Sequence, residues 1–327
     1  MFGVLRRAGN AFIDIVGWRR LGFIVSAAII TVSLVVVYGF LKELTLADII
    51  AATKKVELRN IAFTTLCIFG VFTTLTAYDF FALRTIGKSH VPYRIAALSS
   101  LASFSIGHNV GAVMVTSAAI RYRIYSEWDL TATDVAKVCF VTGLTFWLGN
   151  ACLLGMATLL EPEAASAIDH FNPVINRSLA IAALGAVAAY LVWLGQKPRT
   201  IGKENWSLTL PNVEVTLLQI AIGVVDLVLC SLAMYFLIPS EPHIGFLWFV
   251  VVFVFATLLG FVSHVPSGLG VFDAAMLVAL DRFAASEVVA SLLLFRLMYY
   301  VAPLLIALTL LGGREILLAS RHSAKIR

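Results

Sequence analysis

Four ionisable residues lie in or beside apolar runs, where a charge is costly and calls for a partner. Asp79 stands in Thr76-Ala77-Tyr78-Asp79-Phe80-Phe81 and Asp226 in Val224-Val225-Asp226-Leu227. Asp273 follows a glycine-bearing turn, and Arg296 sits in Leu294-Phe295-Arg296-Leu297-Met298-Tyr299-Tyr300. An acid so placed can receive a cation, carry a proton or hold a buried ion pair. A guanidinium can pair with such an acid or contact a phosphate. Each residue also has a plainer reading. Asp79 fits an interfacial position near the inner face. Asp273 can cap a returning half-helix. Arg296 is too deep for comfortable snorkelling and can pair structurally with Asp273 or Asp226. Asp226 has no capping role open to it and needs a polar partner inside the protein.

Two polar, glycine-bearing breaks interrupt apolar sequence. The first is Ser105-Ile106-Gly107-His108-Asn109-Val110-Gly111, and the second is Ser263-His264-Val265-Pro266-Ser267-Gly268-Leu269-Gly270. Hydrocarbon cannot satisfy the backbone groups a broken helix exposes, so such breaks survive where protein or a wet cavity covers them. Paired breaks of this kind point to a transporter-like substrate site. His108 and Asn109 can bond the freed backbone locally or meet a polar headgroup. Arg121, Arg123 and Lys137 follow the first break. They obey the cytoplasmic bias of basic residues or gather an anionic headgroup.

These residues need helices to position them. The chain has 327 residues, 60% hydrophobic and 13% charged, with a mean hydropathy of +0.94. That composition reads as a helical integral membrane protein. The net charge of +5 resides in short loops, with no basic patch interleaved with aromatics, so nucleic acid is not an expected partner. Cys67, Cys139, Cys152 and Cys230 lie in apolar runs without metal-ligand spacing, and they read as packing residues. No nucleophile elbow, phosphate loop or paired-carboxylate constellation stands out. No cofactor is expected.

The apolar segments are Leu21–Leu41, Ile61–Phe81, Ile95–Ile120, Val135–Leu160, Leu179–Trp193, Val213–Leu237, Phe246–Leu280 and Val288–Leu311. Loop charge places both termini, the Arg84–Arg94 loop and the Lys197–Lys203 loop inside, and the Glu161–Asp169 loop outside. Parity then has the third segment enter and leave by one face. For the seventh it fits a re-entrant hairpin or two short crossings joined near Pro266, of which the hairpin is favoured because Pro and Gly free backbone groups that need burial. The expected fold is all-α, with about six spanning helices and two re-entrant hairpins of opposite orientation. Thr133 and Ser286 are expected N-caps of the helices after the hairpins, with Asp134 and Glu287 at the helix starts. Break, polar link and capped helix thus occur twice, the organisation of an inverted repeat. Residues 1–20 read as an amphipathic cytoplasmic lead-in, 21–313 as one membrane domain and 314–327 as a basic cytoplasmic tail.

Pro266-Ser267-Gly268-Leu269-Gly270-Val271-Phe272-Asp273, with Arg296-x-x-Tyr299-Tyr300-x-x-Pro303 downstream, resembles the membrane region of the bacterial multiple peptide resistance factor family. Gly107 to Gly111, Ala118 to Tyr125 and Tyr78-Asp79 fit that family too. Its pattern often has a second glycine after the proline, where this chain has Ser267. The resemblance implies a flippase that moves lysyl- or alanyl-phosphatidylglycerol from the inner to the outer leaflet of the bacterial cytoplasmic membrane. That transfer lowers negative surface charge and gives resistance to cationic antimicrobial peptides. A scaffold for an aminoacyl-phosphatidylglycerol synthase, without transport of its own, is the alternative. In this picture the lipid phosphate meets half-helix N-termini and the N–H groups of Gly268 and Gly270 near Ser267. Asp79, Asp226 or Asp273 receives the aminoacyl cation, and Tyr299 belongs to the same site. The implied partners are phosphatidylglycerol and its aminoacyl forms, with a synthase domain in cis or in trans and self-association left open. Residues 314–327 read as the end of the chain or as a linker to such a domain.

Overall fold

The computed structural model describes residues 56–111, 113–203, 206–263 and 265–326. The expected lead-in at 1–20 and the expected span Leu21–Leu41 lie outside the described residues. The rest is helical apart from a small antiparallel ribbon. Five helices are long and apolar enough to cross a membrane, as expected for an all-α integral membrane protein. They are α1 (Leu58–Thr85), α4 (Ala132–Leu160), α6 (Pro173–Gln196), α7 (Val213–Tyr235) and a composite of α10 (Ala285–Arg296), a π turn (Leu297–Val301) and α11 (Ala302–Ile326). Between them lie α2 (Tyr93–Val110) with α3 (Val113–Tyr125), the short α5 (Pro162–Asp169), and α8 (Phe246–Val262) with α9 (Val271–Ala279). The ribbon pairs β1 (Thr200–Lys203) with β2 (Trp206–Thr209), Thr200 opposite Thr209. It stands in a loop where the sequence signalled no strand.

The segments α2–α3 and α8–α9 are hairpins. At 1.5 Å per residue α3 is about 20 Å long and α9 about 14 Å, well short of a hydrocarbon core of about 30 Å. In the first hairpin Ser103 and Ser117 each donate to the other's carbonyl, at 3.3 and 2.9 Å. Both of its ends lie together. His90 Nε2 is 3.0 Å from the Trp128 carbonyl, and Lys88 meets Asp134 at the start of α4 at 3.1 Å. The second hairpin closes on itself in the same way. Tyr235 donates to the Ile244 carbonyl at 2.8 Å, and Ser291 of α10 donates to the Leu237 carbonyl at 2.7 Å.

Helices α1 and α7 run antiparallel, with Thr64 donating to the Ala233 carbonyl and Thr74 to Asp226. The first hairpin is rooted at the C-terminal end of α1 and the second at the C-terminal end of α7, so they insert from opposite ends of the bundle. Each long arm packs against the spanning helix that follows the other hairpin, α2 on α11 and α8 on α4. An inverted repeat demands this reciprocity.

Packing follows membrane rules, with small residues where backbones meet. A Cβ on Gly149 of α4 would lie 2.7 Å from the Gly223 backbone of α7. An aromatic column fills the core of the second half: Phe253 against Phe272 and Phe295, and Phe295 stacked on Tyr299 at 5.0 Å. Helix α6 leaves most of its apolar side chains exposed, as a lipid-facing helix does.

Several expected boundaries move. The segment read as Leu179–Trp193 belongs to the 24-residue α6, which starts at Pro173 behind the cap Asn172. The cap of α4 is Thr131, not Thr133: Thr131 and Asp134 bond reciprocally, and that capping box fixes the start. Ser286 is not a cap either, since α10 begins after Ala284 without a side-chain bond. Helix α11 runs on through residue 314 to Ile326.

The threading has a direct check. With the four native cysteines replaced, single cysteines at Ser89 and Ser126 should react with an impermeant maleimide from one face of the membrane. Cysteines at Ser240 and Ser286 should react from the other. All four positions are exposed. Labelling of Ser89 and Ser126 from opposite faces would remove the first hairpin.

Candidate functional site

The two helix breaks meet. Helix α2 ends at Gly111, whose φ of 83° is left-handed. A Cβ there would also press within 3.1 Å of the Pro266 ring. Glycine is thus required both by backbone conformation and by the approach of the other hairpin. Ser267 donates to the Asn109 amide oxygen at 3.3 Å and lies 3.4 Å from the His108 carbonyl. Asn109 in turn donates to the Ser105 carbonyl at 2.7 Å and to the Tyr300 carbonyl at 3.2 Å in the π turn. His108 bonds the Phe104 carbonyl through Nδ1 at 2.8 Å, so its ring serves the local backbone. Freed backbone groups are therefore met by side chains of both halves of the protein.

Ser267 has φ 52°, a region costly to any residue with a Cβ. Gly268 follows at φ 60°, its Cα packed against Gly260 of α8. Gly270 starts α9 and donates its N–H to Asp273 at 2.9 Å.

Each short arm is pinned to a spanning helix by an arginine–aspartate pair. In the first hairpin, Arg121 of α3 reaches Asp79 of α1 through Nη2 at 2.7 Å and Nε at 3.1 Å. Tyr125 donates to the same carboxylate at 2.6 Å. In the second, Arg296 of α10 reaches Asp273 of α9 through Nη2 at 2.5 Å and Nε at 3.1 Å. The polarity is reversed, since the arm carries the arginine in one hairpin and the acid in the other. Asp273 therefore fills both roles that the sequence offered it, ion pair and cap.

Arg121 and Arg123, which the sequence offered as headgroup contacts, both pair with acids. Arg121 is 3% exposed against Asp79. Arg123 joins Glu127 at 2.7 Å and Glu315 of α11 at 2.5 Å, and Arg314 binds the same two acids. This four-charge cluster ties the root of the first hairpin to the last spanning helix. Glu127 and Glu315 escaped the sequence reading, and Tyr125 entered it within the family-like stretch without a role. Tyr125 was detectable, one helical turn beyond Arg121 and so on its face; Glu315 lies 192 residues from Arg123 and gave no local signal.

Asp226 differs from the other two acids. Among the described residues it forms no ion pair, and its partners are hydroxyls: Thr74 at 2.8 Å and Tyr78 at 3.5 Å, both from α1. Tyr299 and Cys230 stand beside it. An apolar groove of about 450 Å³ runs along one face of α9 from Gly270 to Val278, walled by Leu259 of α8 and by Ile168 and His170 near α5. No group of three or more potential metal ligands occurs among the described residues.

Fold and helix breaks define a multi-pass helical membrane protein, and its relatives place it in the bacterial inner membrane. Over 249 residues the chain is 31% identical to the uncharacterized protein slr0712 of Synechocystis, covering 75% of this chain and 76% of that one, and it belongs to the same family. It is also 26% identical over 199 residues to the inner membrane protein YbhN of Escherichia coli, 59% of this chain and 61% of that protein. A stretch of 72 residues is 43% identical to the phosphatidylglycerol lysyltransferase of Staphylococcus epidermidis, 21% of this chain but 9% of that enzyme. No protein-family model matches.

Two substitutions probe this geometry. Asp79→Asn leaves the Arg121 charge buried without its counterion and should cost about 3–5 kcal/mol in unfolding measurements. Adding Arg121→Met should recover most of that loss, because the stranded charge goes with it. Ser267→Gly should raise thermal stability by about 1 kcal/mol, since the left-handed strain vanishes. Ser267→Val should lower it.

Proposed function

We propose that this chain is a phospholipid translocator. Its cargo would be aminoacylated phosphatidylglycerol, carried from the inner to the outer leaflet, with the lowered surface charge and peptide resistance that follow. The observation that carries the reading is the contact between the two helix breaks. A polar junction between hairpins rooted at opposite ends would give a headgroup a polar path through the bilayer when the tips part, while acyl tails would stay in lipid or in the groove beside α9.

The geometry sorts the candidate residues. Asp79 and Asp273 are committed to guanidinium partners, so Asp226 is the acid left to take a cationic headgroup. The phosphate would sit at the tips, near Asn109, Ser267 and the backbone of Gly268 and Gly270. The basic four-charge end would face the cytoplasm with both termini. The chain would act as a carrier and not as an enzyme, and the likeness to a lysyltransferase supports phosphatidylglycerol as the lipid class.

The test joins the tips. Cysteines at Asn109 and Ser267, in a background without native cysteines, place two thiols where the side chains already touch. In proteoliposomes the reduced protein should move lysyl-phosphatidylglycerol between leaflets. Oxidation should drop the rate to that of protein-free vesicles, and reductant should restore it. Equal movement in both redox states would reject the tip path. If the unmodified protein moves no lipid yet binds a synthase, it is an anchor.

A further inference from the structure

We infer that Asp226 is a proton-binding site, and that its protonation is exchanged against the lipid at the hairpin tips. The second half rests on the translocator reading; the first does not. The carboxyl group lies midway along α7, 7% exposed, and among the described residues its hydrogen-bond partners are neutral hydroxyls. Thr74 Oγ1 is 2.8 Å from Asp226 Oδ1 and 2.7 Å from the Val71 carbonyl. A hydroxyl has one hydrogen and cannot donate to both. A carbonyl can only accept, so when Thr74 donates to Val71 the remaining short contact is satisfied by a proton on Asp226. The other contact, from Tyr78, is long at 3.5 Å. By contrast, Asp79 accepts from a guanidinium and a phenol, and Asp273 from a guanidinium and a backbone N–H. Those two environments are built for charge, and that of Asp226 fits the neutral acid.

The titratable groups around it are Tyr78 from α1, Cys230 on its own helix with Cys67 of α1 beyond, and Tyr299 from the π turn. None carries a positive charge. Two short routes lead to the tips. Tyr299 adjoins Tyr300, whose carbonyl accepts from Asn109. The Tyr78 ring meets Phe104 edge-on at 6.0 Å, and Phe104 stacks on His108 at 5.9 Å. Single π turns in helices mark functional sites.

The exchange needs no electron transfer. A proton adds to a carboxylate oxygen of Asp226 to give the neutral acid; its departure re-forms the carboxylate, which can then hold the ammonium of an aminoacyl headgroup. One carboxylate cannot hold both, so proton and headgroup displace each other, and the coupling is reciprocal.

Infrared spectroscopy in vesicles of plain phosphatidylglycerol tests the proton site alone. The protein should show a carboxylic-acid carbonyl band that moves in deuterium oxide, weakens from acidic to alkaline buffer and is lost in Asp226→Asn. Asp226→Glu should keep a band, and Thr74→Val should shift it to higher frequency by removing its hydrogen-bond acceptor. Identical spectra for the native protein and Asp226→Asn, or no shift with Thr74→Val, would overturn the site. The coupling is read with lysyl-phosphatidylglycerol under an imposed pH gradient: one-for-one exchange supports about a tenfold leaflet ratio per pH unit, lost in Asp226→Asn. Lipid movement indifferent to the gradient would overturn the coupling and leave the translocator standing. The titrating band without any lipid movement would uphold the proton site and sink the translocator.

Discussion

A helix broken inside hydrocarbon exposes carbonyl and N–H groups with no water to meet them. This chain breaks two helices at depth and satisfies each break partly with the other. Asn109 bonds its own helix and reaches the π turn, while Ser267 arrives from the opposite hairpin to bond Asn109. Gly111 is held to glycine by its dihedral angle and by the Pro266 ring. Everything else in the fold serves this meeting. The roots are tied shut so that the arms stay paired, and the arms are short so that the tips stop where they touch.

The two arginine–aspartate pairs set the register of that meeting. Buried ion pairs add little net stability over apolar packing, but removing one partner strands a charge. Their effect here is to penalise sliding or withdrawal of either short arm. Both pairs use a guanidinium fork, with opposite polarity. The four-charge cluster breaks the symmetry further. Among the described residues it binds only the root of the first hairpin, through Arg123, Glu127, Arg314 and Glu315. The root of the second has hydroxyl-to-carbonyl bonds instead.

The helical membrane class and both hairpins were legible because hydrophobic length and loop charge are local signals, and polar glycine-rich interruptions stand out against them. Ion-pair partners were half legible. Arg296 with Asp273 was among the pairings the sequence offered. Arg121 and Asp79 were each visible but read separately, Arg121 as a cytoplasmic or headgroup-binding base and Asp79 as an interfacial or headgroup-binding acid, because 42 residues and a fold-back separate them. The caps were misjudged by two residues at Thr131 and Ala284. Several small polar residues compete near each start, and only geometry chooses between them. The ribbon Thr200–Thr209 was missed because its alternation is too brief to rise above loop composition.

Three acids that lie in or beside apolar runs do different physical work. Asp79 and Asp273 sit where guanidinium forks hold both oxygens, so their motion is limited. Asp226 faces hydroxyls, and a hydroxyl can donate or accept. A site whose partner can reverse its hydrogen bond tolerates both the charged and the neutral acid, at the cost of holding neither tightly. That tolerance is what a site of alternating occupancy needs, and what a structural ion pair excludes. The placement is telling: the tolerant acid lies at the crossing of α1 and α7, next to the π turn that carries the Asn109 bond. A change of charge there acts on the helix pair that roots both hairpins and on the junction between their tips.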